Sequence, residues 1–291
     1  MAKSVLITGC SEGTIGNALA LEFARLNWTV YASSRTLSKM ANLNFHSNIK
    51  LLTLDVMDSK SVFAAREQIS REQNGKLDLL YHNAGVRSMS MLIDYDASER
   101  ENWGDNKGEE PYIRADDVWM MEGNVISVMA LTRAFSRLLI ASKGTIAISG
   151  SGSSRVPLPG SGSYNVSKAA VEMYSRTLRL ELAAFGISVV YVMTGAVATP
   201  MNLQRMSFAE NSPYKAIGDK IADGWEPKGE IPQPTDEYAR YVVERVSRPS
   251  PPKEVWSGTT IGTLWWVDKL GLSWILDGMF MKKHGLDTKV V

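Results

Sequence analysis

The chain has 291 residues, of which 44% are hydrophobic and 22% are charged, as in an ordinary globular protein. Lys and Arg number 32 against 31 Asp and Glu, so the formal net charge is +1 and the composition gives no indication of a nucleic-acid surface. One cysteine and three histidines argue against a disulfide framework and a His/Cys zinc site, and they favour a reducing compartment such as the cytoplasm.

Strand-like and helix-like patterns alternate from the first residues onwards. A short apolar strand, Val5–Thr8, leads through a glycine-containing turn into a helix with apolar periodicity over Ile15–Leu26. Five more strands are predicted, at Thr29–Ser33, Lys50–Val56, Leu77–His82, Thr145–Ser149 and Ile187–Met193. A helix from about Tyr164 to Ala184 lies between the last two. The alternation predicts a single α/β domain over residues 1–291, with a doubly wound parallel sheet flanked by helices.

Two segments interrupt this alternation. Asp94–Asp117 is polar and acidic, which predicts a surface insertion: either a solvated loop without a function of its own, or a lid or partner contact. Met201–Gln233 contains three prolines and directly follows the sixth strand, where an active-site lid is expected.

The C-terminal extension, 255–291, is rich in aromatic residues, namely Trp256, Trp265, Trp266, Trp274 and Phe280. They pack in the core or at an oligomer interface in one interpretation, and form a lid or a lipid-facing surface in the other. The longest apolar run, Val255–Met281, is interrupted by Asp268, Lys269 and Asp277, so we expect no transmembrane span. The protein is expected to be cytoplasmic, with peripheral attachment to a membrane as the alternative.

A glycine-rich turn follows the first strand, with Gly9, Gly13 and Gly16 in the run Thr8–Gly16. Glycines in a strand-to-helix turn allow the backbone to approach a pyrophosphate, and the N-terminus of the next helix supplies N–H donors and positive potential. Its place between an N-terminal strand and an amphipathic helix predicts a dinucleotide site.

The end of the second strand, Ser33-Ser34-Arg35, lacks the acidic residue that would bind a free ribose 2′-hydroxyl. Arg35 can pair with a 2′-phosphate instead, because the guanidinium matches phosphate geometry, although a solvated arginine at a strand end is the alternative. The sequence therefore favours NADPH over NADH.

Tyr164 and Lys168 lie four residues apart, and hence one above the other on a helix face. A phenol ordinarily keeps its proton until about pH 10, and a neighbouring ammonium favours the phenolate. Ser151, thirteen positions before Tyr164, follows a predicted strand and can hydrogen-bond a substrate oxygen. These three side chains suit the interconversion of a carbonyl and an alcohol.

Together these motifs resemble the short-chain dehydrogenase/reductase family over residues 4 to 260. Seven elements appear in the family's order: Thr8–Gly16, Asp55-Val56, His82–Gly85, Asn124, Ser151, Tyr164 with Lys168, and Thr194–Thr199. The resemblance implies a Rossmann-type domain that binds NADP(H) and acts as an oxidoreductase, and we expect a homodimer or homotetramer.

The resemblance also implies roles for individual residues. Tyr164 is the general acid or base, Ser151 orients the substrate oxygen, and Asn124 holds a water in a proton relay to Lys168. Lys168 also binds the nicotinamide ribose. The implied cofactor contacts are Gly9, Ser11, Gly13, Ile15, Gly16, Arg35, Asp55, Val56, Asn83, Ala84, Gly85, Tyr164, Lys168, Val197 and Thr199.

The chain departs from the family pattern at several positions. One extra residue separates Gly9 from Gly16, and Thr14 occupies a position where a close glycine is common. His82 replaces a common asparagine, for which a structural role is favoured over a catalytic one. Thr194 replaces the usual proline.

Several segments look closer to one branch, the fungal 1-acyldihydroxyacetone-phosphate reductase-like enzymes: 75–81, 143–146, 194–199 and 255–259. This implies a lipophilic ketone or secondary alcohol as the small-molecule substrate, in lipid metabolism or the tailoring of secondary metabolites. A non-redox protein that keeps the cofactor-binding fold, or an enzyme that acts on an imine or in a cyclisation, is the alternative.

Overall fold

The computed structural model describes residues 2–94, 115–203, 206–226, 229 and 231–289. Seven parallel strands form one sheet in the order β3-β2-β1-β4-β5-β6-β7. They are β1 Ser4–Thr8, β2 Thr29–Ser34, β3 Ile49–Thr53, β4 Leu79–His82, β5 Thr145–Ser149, β6 Ser188–Thr194 and β7 Glu254–Ser257. The predicted parallel sheet is confirmed, and only β7 was not predicted as a strand.

The helices in the described part of the chain cover both faces of the sheet. They are α1 Ile15–Arg25, α2 Ser59–Glu72, α3 Ala115–Met121, α4 Ser127–Ser142, α5 Gly162–Glu181, α6 Gly218–Asp223, α7 Thr235–Val246, α8 Ile261–Lys269 and α9 Trp274–Lys283. A π-helical turn, Glu122–Ile126, joins α3 to α4. The three pieces form one long helix, Ala115–Ser142.

Two hydrophobic cores lie on opposite faces of the sheet, and β1 contributes side chains to both. Val5 and Ile7 belong to the core that α1 and α7 cover, whereas Leu6 belongs to the core beneath α2, α4 and α5. Successive side chains of a strand point to opposite faces, so a sheet covered on both faces requires continuous apolar runs. This is why the buried strands were readable from the sequence.

The long helix Ala115–Ser142 is the one described helix that is long and apolar enough to cross a membrane. Leu131, Phe135 and Leu139 on α4 are fully buried in the core of the domain. Packing in the core therefore accounts for the part of its apolar character that these residues carry.

The structure describes the two segments that interrupt the alternation to different extents. Helix α3 begins at Ala115, so the last three positions of the predicted insertion Asp94–Asp117 are helical, while 95–114 lie outside the described residues. The described part of the predicted lid contains α6 and forms a small hydrophobic cluster with Met89 and Met91 of the loop after β4. The cluster includes Met206, Ile217 and Ile221, and Leu286 from the C-terminal segment packs against it.

The C-terminal aromatic residues divide into two groups. Trp256, Trp265 and Phe280 are partly buried, whereas Trp266 and Trp274 are 61% and 69% exposed. These two tryptophans therefore do not belong to the core of this chain. Their contact with a second subunit or with lipid stays a prediction.

Candidate active site

The predicted site residues gather at one edge of the sheet. All seven strands are parallel, so their carboxyl ends meet at that edge. The strand order reverses between β1 and β4, which opens a crevice there, and the turns after β1, β4, β5 and β6 surround it. Ligands of open α/β sheets bind in such a crevice.

The glycine-rich turn after β1 has the geometry that a dinucleotide requires. Gly9 and Gly13 both have φ +77°, a left-handed conformation that favours glycine. A Cβ on Gly9 would lie 3.0 Å from Ala84 Cα, and one on Gly16 would lie 2.6 Å from Asn83 Nδ2. A Cβ on Gly13, by contrast, would meet only Pro200, at an ordinary van der Waals distance of 3.8 Å. The turn is thus packed tightly from behind and open in front, which fits a pyrophosphate.

Thr14, where the family often has glycine, caps the N-terminus of α1. Its Oγ1 accepts from Asn17 N and donates to Ser11 O at 2.6 Å, which holds the turn together. Ile15 is the first residue of α1. Ser11 Oγ lies 3.2 Å from Ser34 Oγ, so the turn also contacts the end of β2.

Arg35 follows β2 and is exposed, with no ion pair recorded for it in the described part of the chain. A second exposed cation, Lys39, stands on the short helical turn Leu37–Leu43, and its carbonyl accepts a hydrogen bond from Glu12 N at 2.7 Å. Sequence reasoning missed Lys39, although its spacing from Arg35 was visible. Two exposed cations, Arg35 and Lys39, therefore follow β2 beside the glycine-rich turn.

Asp55 and Val56 follow β3 and are partly buried. Asp55 Oδ1 accepts from Met57 N at 3.0 Å, and Asp55 N donates to Ser61 Oγ at 2.9 Å. These bonds fix the backbone just before α2, so the Asp55 carboxylate shapes this turn.

Asn83 and Ala84 fasten the end of β4 to the end of β1. Asn83 Nδ2 donates to Thr8 O at 2.9 Å and to Gly9 O at 3.2 Å, and Ala84 N donates to Thr8 Oγ1 at 2.9 Å. The carbonyl groups of the glycine turn are thereby satisfied from within the protein. Three of its N–H groups, those of Cys10, Glu12 and Thr14, also donate within the protein.

Tyr164 lies in the first turns of α5, and Lys168 follows one turn later. Lys168 Nζ is 5.6 Å from the centroid of the Tyr164 ring and donates to Ser149 O at 3.1 Å. Lys168 is only 7% exposed. Helix spacing and the end of β5 therefore hold a buried ammonium against the phenol.

Ser151 begins the turn after β5. Its Oγ accepts from Ser153 N at 3.1 Å and donates to Ser153 Oγ at 2.9 Å. The hydroxyl group is held by its own turn, and it can redirect its proton to another acceptor by rotating about its C–O bond.

Asn124 lies in the π-helical turn and is 2% exposed. Its Oδ1 accepts from Val86 N at 2.8 Å, and its Nδ2 donates to Val86 O at 2.9 Å and to Ser167 Oγ at 3.0 Å. A Cβ on Gly85 would lie 3.1 Å from Asn124 Oδ1 and 3.8 Å from Lys168 Nζ, so both atoms line the same space. Asn124 thus clamps the loop after β4 to α5 beside Lys168.

Val197 and Thr199 lie in the segment after β6. Val197 is buried and forms an isolated bridge with Gln233, and Thr199 is partly buried just before Pro200. Thr194, where proline is usual, places its Oγ1 2.7 Å from the hydroxyl of Tyr238 on α7. The hydroxyl thus fastens the end of β6 to a covering helix, a bond that proline would not make.

His82 is buried beneath the site, and its Nε2 lies 3.1 Å from Thr132 Oγ1. Burial lowers the pKa of His82 to about 3, so the ring is neutral at physiological pH. This supports the structural role favoured for it over acid–base chemistry.

Arg87 and Trp225 contact the site and were both missed by sequence reasoning. Arg87 Cζ is 5.8 Å from the centroid of the Tyr164 ring and 4.7 Å from that of Trp225. Trp225 belongs to the lid-like segment, and its Nε1 donates to Pro159 O at 3.1 Å. The available signal was the place of Arg87, two residues after the Asn83–Gly85 motif.

Comparison with known proteins decides the family. The family model described as short chain dehydrogenase matches residues 3–209, which include every element from the glycine turn to Thr199. The chain belongs to the short-chain dehydrogenase family. This confirms the resemblance drawn from the motifs, and it makes the protein a Rossmann-fold oxidoreductase by family.

Among the relatives of this short-chain dehydrogenase is the NADPH-dependent 1-acyldihydroxyacetone phosphate reductase of Schizosaccharomyces pombe. It is 38% identical over 73% of this chain and 68% of the relative. A short-chain dehydrogenase/reductase of Pestalotiopsis microspora is 33% identical over 98% of this chain and 95% of its own length. A solved short-chain dehydrogenase from Streptomyces avermitilis superposes with a TM-score of 0.74, covers 100% of both chains and is 20% identical, so it supports the fold.

Proposed function

We propose that the protein is an NADPH-dependent reductase that interconverts a lipophilic ketone and its secondary alcohol, in lipid metabolism or in the tailoring of secondary metabolites. The observation that carries the proposal is the buried Lys168 ammonium held 5.6 Å from the Tyr164 ring, at the crevice that the glycine turn borders. Ser151 follows β5, the strand whose last residue accepts the hydrogen bond from Lys168. This combination suits proton transfer to a carbonyl oxygen.

NADP(H) is the cofactor in this proposal, as in the name of the S. pombe relative. The turn with Gly9 and Gly13 would hold the pyrophosphate, and Arg35 with Lys39 would bind the 2′-phosphate. Asp55 and Val56 would flank the adenine, and Val197 and Thr199 would contact the carboxamide. When bound, the nicotinamide supplies the hydride.

The chain's own residues handle the proton. Tyr164 donates its hydroxyl proton to the carbonyl oxygen during reduction and takes one back during oxidation. Lys168, held in place by Ser149 O, stabilises the phenolate that this leaves. Ser151 turns its hydroxyl from Ser153 towards the substrate oxygen and orients it. Asn124 fixes the loop and helix on which these groups stand.

A lipophilic substrate is favoured by what surrounds the crevice. The lid-like segment and the loop after β4 form an apolar cluster in which Met206 and Met91 are buried, while Met89, Phe208 and Trp225 are partly exposed. Apolar and methionine-rich surfaces of this kind adapt to apolar ligands. The name of the S. pombe relative, a reductase of an acylated ketone, points in the same direction.

The proposal is tested by Tyr164→Phe, which removes only the hydroxyl group. We expect NADPH binding to be unchanged and kcat for ketone reduction to fall by roughly 10²- to 10⁴-fold, the usual contribution of a positioned acid. Absorbance of NADPH across a panel of ketones measures this. Tyr241→Phe, on the exposed face of α7, is the control and should keep full activity. Retained turnover in the Tyr164 variant would contradict the proposal.

A further inference from the structure

Arg87 is a second cation at Tyr164, held in place by the backbone around it. The loop that carries it pairs with the segment before α5, where Ser90 N donates to Gly160 O at 3.0 Å and Ser90 bridges Ser161. Its guanidinium contacts the rings of both Tyr164 and Trp225. Arginine faces stack well on aromatic rings, and stacking leaves the N–H groups at the edge free to donate.

The charge of Arg87 is not neutralised within the described residues. The hydrogen bond recorded for it there is a long one, from Nη2 to Ser161 Oγ at 3.4 Å, and its buried Nε has no partner. No salt bridge joins it to a carboxylate in that part of the chain. Burial lowers the pKa of Arg87 from its ordinary value, and the charge of Tyr164 partly opposes this.

Arg155, which is partly buried like Arg87, has carboxylate partners. Its guanidinium forms ion pairs with Glu172 at 2.6 Å, Glu254 at 3.0 Å and Asp268 at 2.5 Å. A buried cation or N–H group without a partner destabilises a protein. Arg87 has no carboxylate partner beside Tyr164 within the described residues. We therefore expect its partner to come from outside them.

We propose that Arg87 binds an oxyanion, a carboxylate or a phosphate, on the substrate whose carbonyl reacts at Tyr164. The inference rests on the proposed reductase function and adds a charged group to its lipophilic substrate. Because the guanidinium lies within 6 Å of the Tyr164 ring, that group stands a few bonds from the reacting carbonyl. The free Nε–H and Nη–H edge matches the two oxygens of such an anion.

The test compares matched substrates with the full chain and NADPH. One pair is a long-chain 4-oxo carboxylate and its methyl ester, and the other is a phosphorylated hydroxyketone and the free hydroxyketone. The anionic member of one pair should be preferred, and this identifies the anion as carboxylate or phosphate. Arg87→Gln should lower the anionic-to-neutral ratio of kcat/KM by roughly tenfold to a hundredfold, mainly through KM.

Two further variants define the effect. Arg87→Lys keeps the charge and should restore part of the ratio, and Arg240→Gln removes an exposed cation on α7 and should leave the ratio unchanged. Equal losses for charged and neutral substrates, with the same displacement of both pH profiles, would mean that Arg87 acts only on Tyr164. That result, or a wild type without preference for either anion, overturns the proposal.

Failure of the proposed function is distinguishable from failure of this inference. If the wild type reduces no member of either pair, calorimetric titration of the same anions into the protein with NADP⁺ still decides. Binding that weakens at least tenfold in Arg87→Gln upholds the anion site without the reductase. Equal binding by both proteins, or none by either, removes it.

Discussion

Because the imidazole of His82 is buried, we expect the folded protein to lose stability in acid. The pKa of His82 is about 3 in the folded protein, against about 6.5 in an unfolded chain, because burial disfavours the charged ring. The unfolded state therefore binds a proton from pH 6.5 downwards and the folded state does not. We expect protonation of this residue in the unfolded state to lower the free energy of unfolding by about 2 kcal/mol between pH 7.5 and pH 5.

Denaturant unfolding of the wild type and of His82→Asn at both pH values measures this difference. The variant should lose that part of the pH dependence and keep the rest. His46→Asn is the control, because His46 is exposed and its replacement should leave the dependence as it is. Identical pH slopes in the wild type and His82→Asn would show that this ring does not contribute.

Arg35 carries the prediction on cofactor choice. Because a guanidinium pairs with a 2′-phosphate and a carboxylate repels it, Arg35→Asp should reduce the NADPH-to-NADH ratio of kcat/KM by tenfold or more. The matched control is Arg248→Asp, at an exposed site after α7. An unchanged ratio in Arg35→Asp would remove this residue from the cofactor site.

Residues that follow strands were predictable, and residues brought in by loops were not. Gly9, Asn83, Ser151 and the Tyr164 helix were visible because each follows a buried apolar run or fits helical spacing. Arg87 was not, since its neighbours Tyr164 and Trp225 are far along the chain and its place after the Asn83–Gly85 motif does not reveal these contacts.

Arg155, in the turn after β5, joins three separate elements through ion pairs. It pairs with Glu172 on α5, Glu254 on β7 and Asp268 on α8. Burial raises the pKa of the Glu254 carboxyl, but the charge of Arg155, the hydrogen bonds from Trp256 and Arg155 and the charge of Lys269 together hold the pKa below its ordinary value. One guanidinium thereby ties the last strand to the preceding core.

Arg155→Met should therefore destabilise the fold strongly. Removing the cation leaves Glu172, whose side chain is 8% exposed, as an uncompensated buried charge, which costs about 3 to 5 kcal/mol. The midpoint of chemical unfolding measures the change. Arg240→Met breaks the exposed pair with Asp236 and should cost less than about 1 kcal/mol. Similar midpoints for the two variants would contradict this.

The elements that escaped prediction were short or depended on distant partners. Strand β7 has four residues, and its place is set by pairing with β6 and by the Arg155 ion pairs, neither of which a local pattern reveals. The π-helical turn Glu122–Ile126 was equally invisible, because its apolar periodicity differs from that of an α-helix by a single residue.

At the scale of the whole molecule, the segment predicted to act as a lid packs against the C-terminal segment. His284 is 2% exposed, its Nδ1 lies 3.0 Å from Ile221 O on α6, and its ring centroid is 5.6 Å from that of Trp225. Leu286 packs against the same cluster. The segment over 206–226 is thus held by residues about 60 positions later, as the 63-residue separation of His284 and Ile221 shows.

His284→Ala should loosen this packing without disturbing the sheet. We expect faster hydrogen exchange in 206–226, unchanged exchange in β1 and β4–β6, and a raised KM for the ketone, because the exposed side of the crevice is less well ordered. His46→Ala should leave all three as they are. Unaltered exchange in 206–226 would show that the cluster holds without the imidazole.

The π-helical turn has a consequence for how this chain tolerates deletion. It accommodates one residue more than an α-helical turn of the same length, so removing one codon within 122–126 lets α3 and α4 join as a regular helix. The residues upstream then keep nearly the same orientation relative to α4, because the residue that is lost is the extra one of the π-helical turn. Asn124 loses its place between Val86 and Ser167. A deletion that makes the helix more regular would therefore damage the site while it preserves the helix, whereas a deletion in the middle of α2 would rotate one half of that helix by about 100° relative to the other.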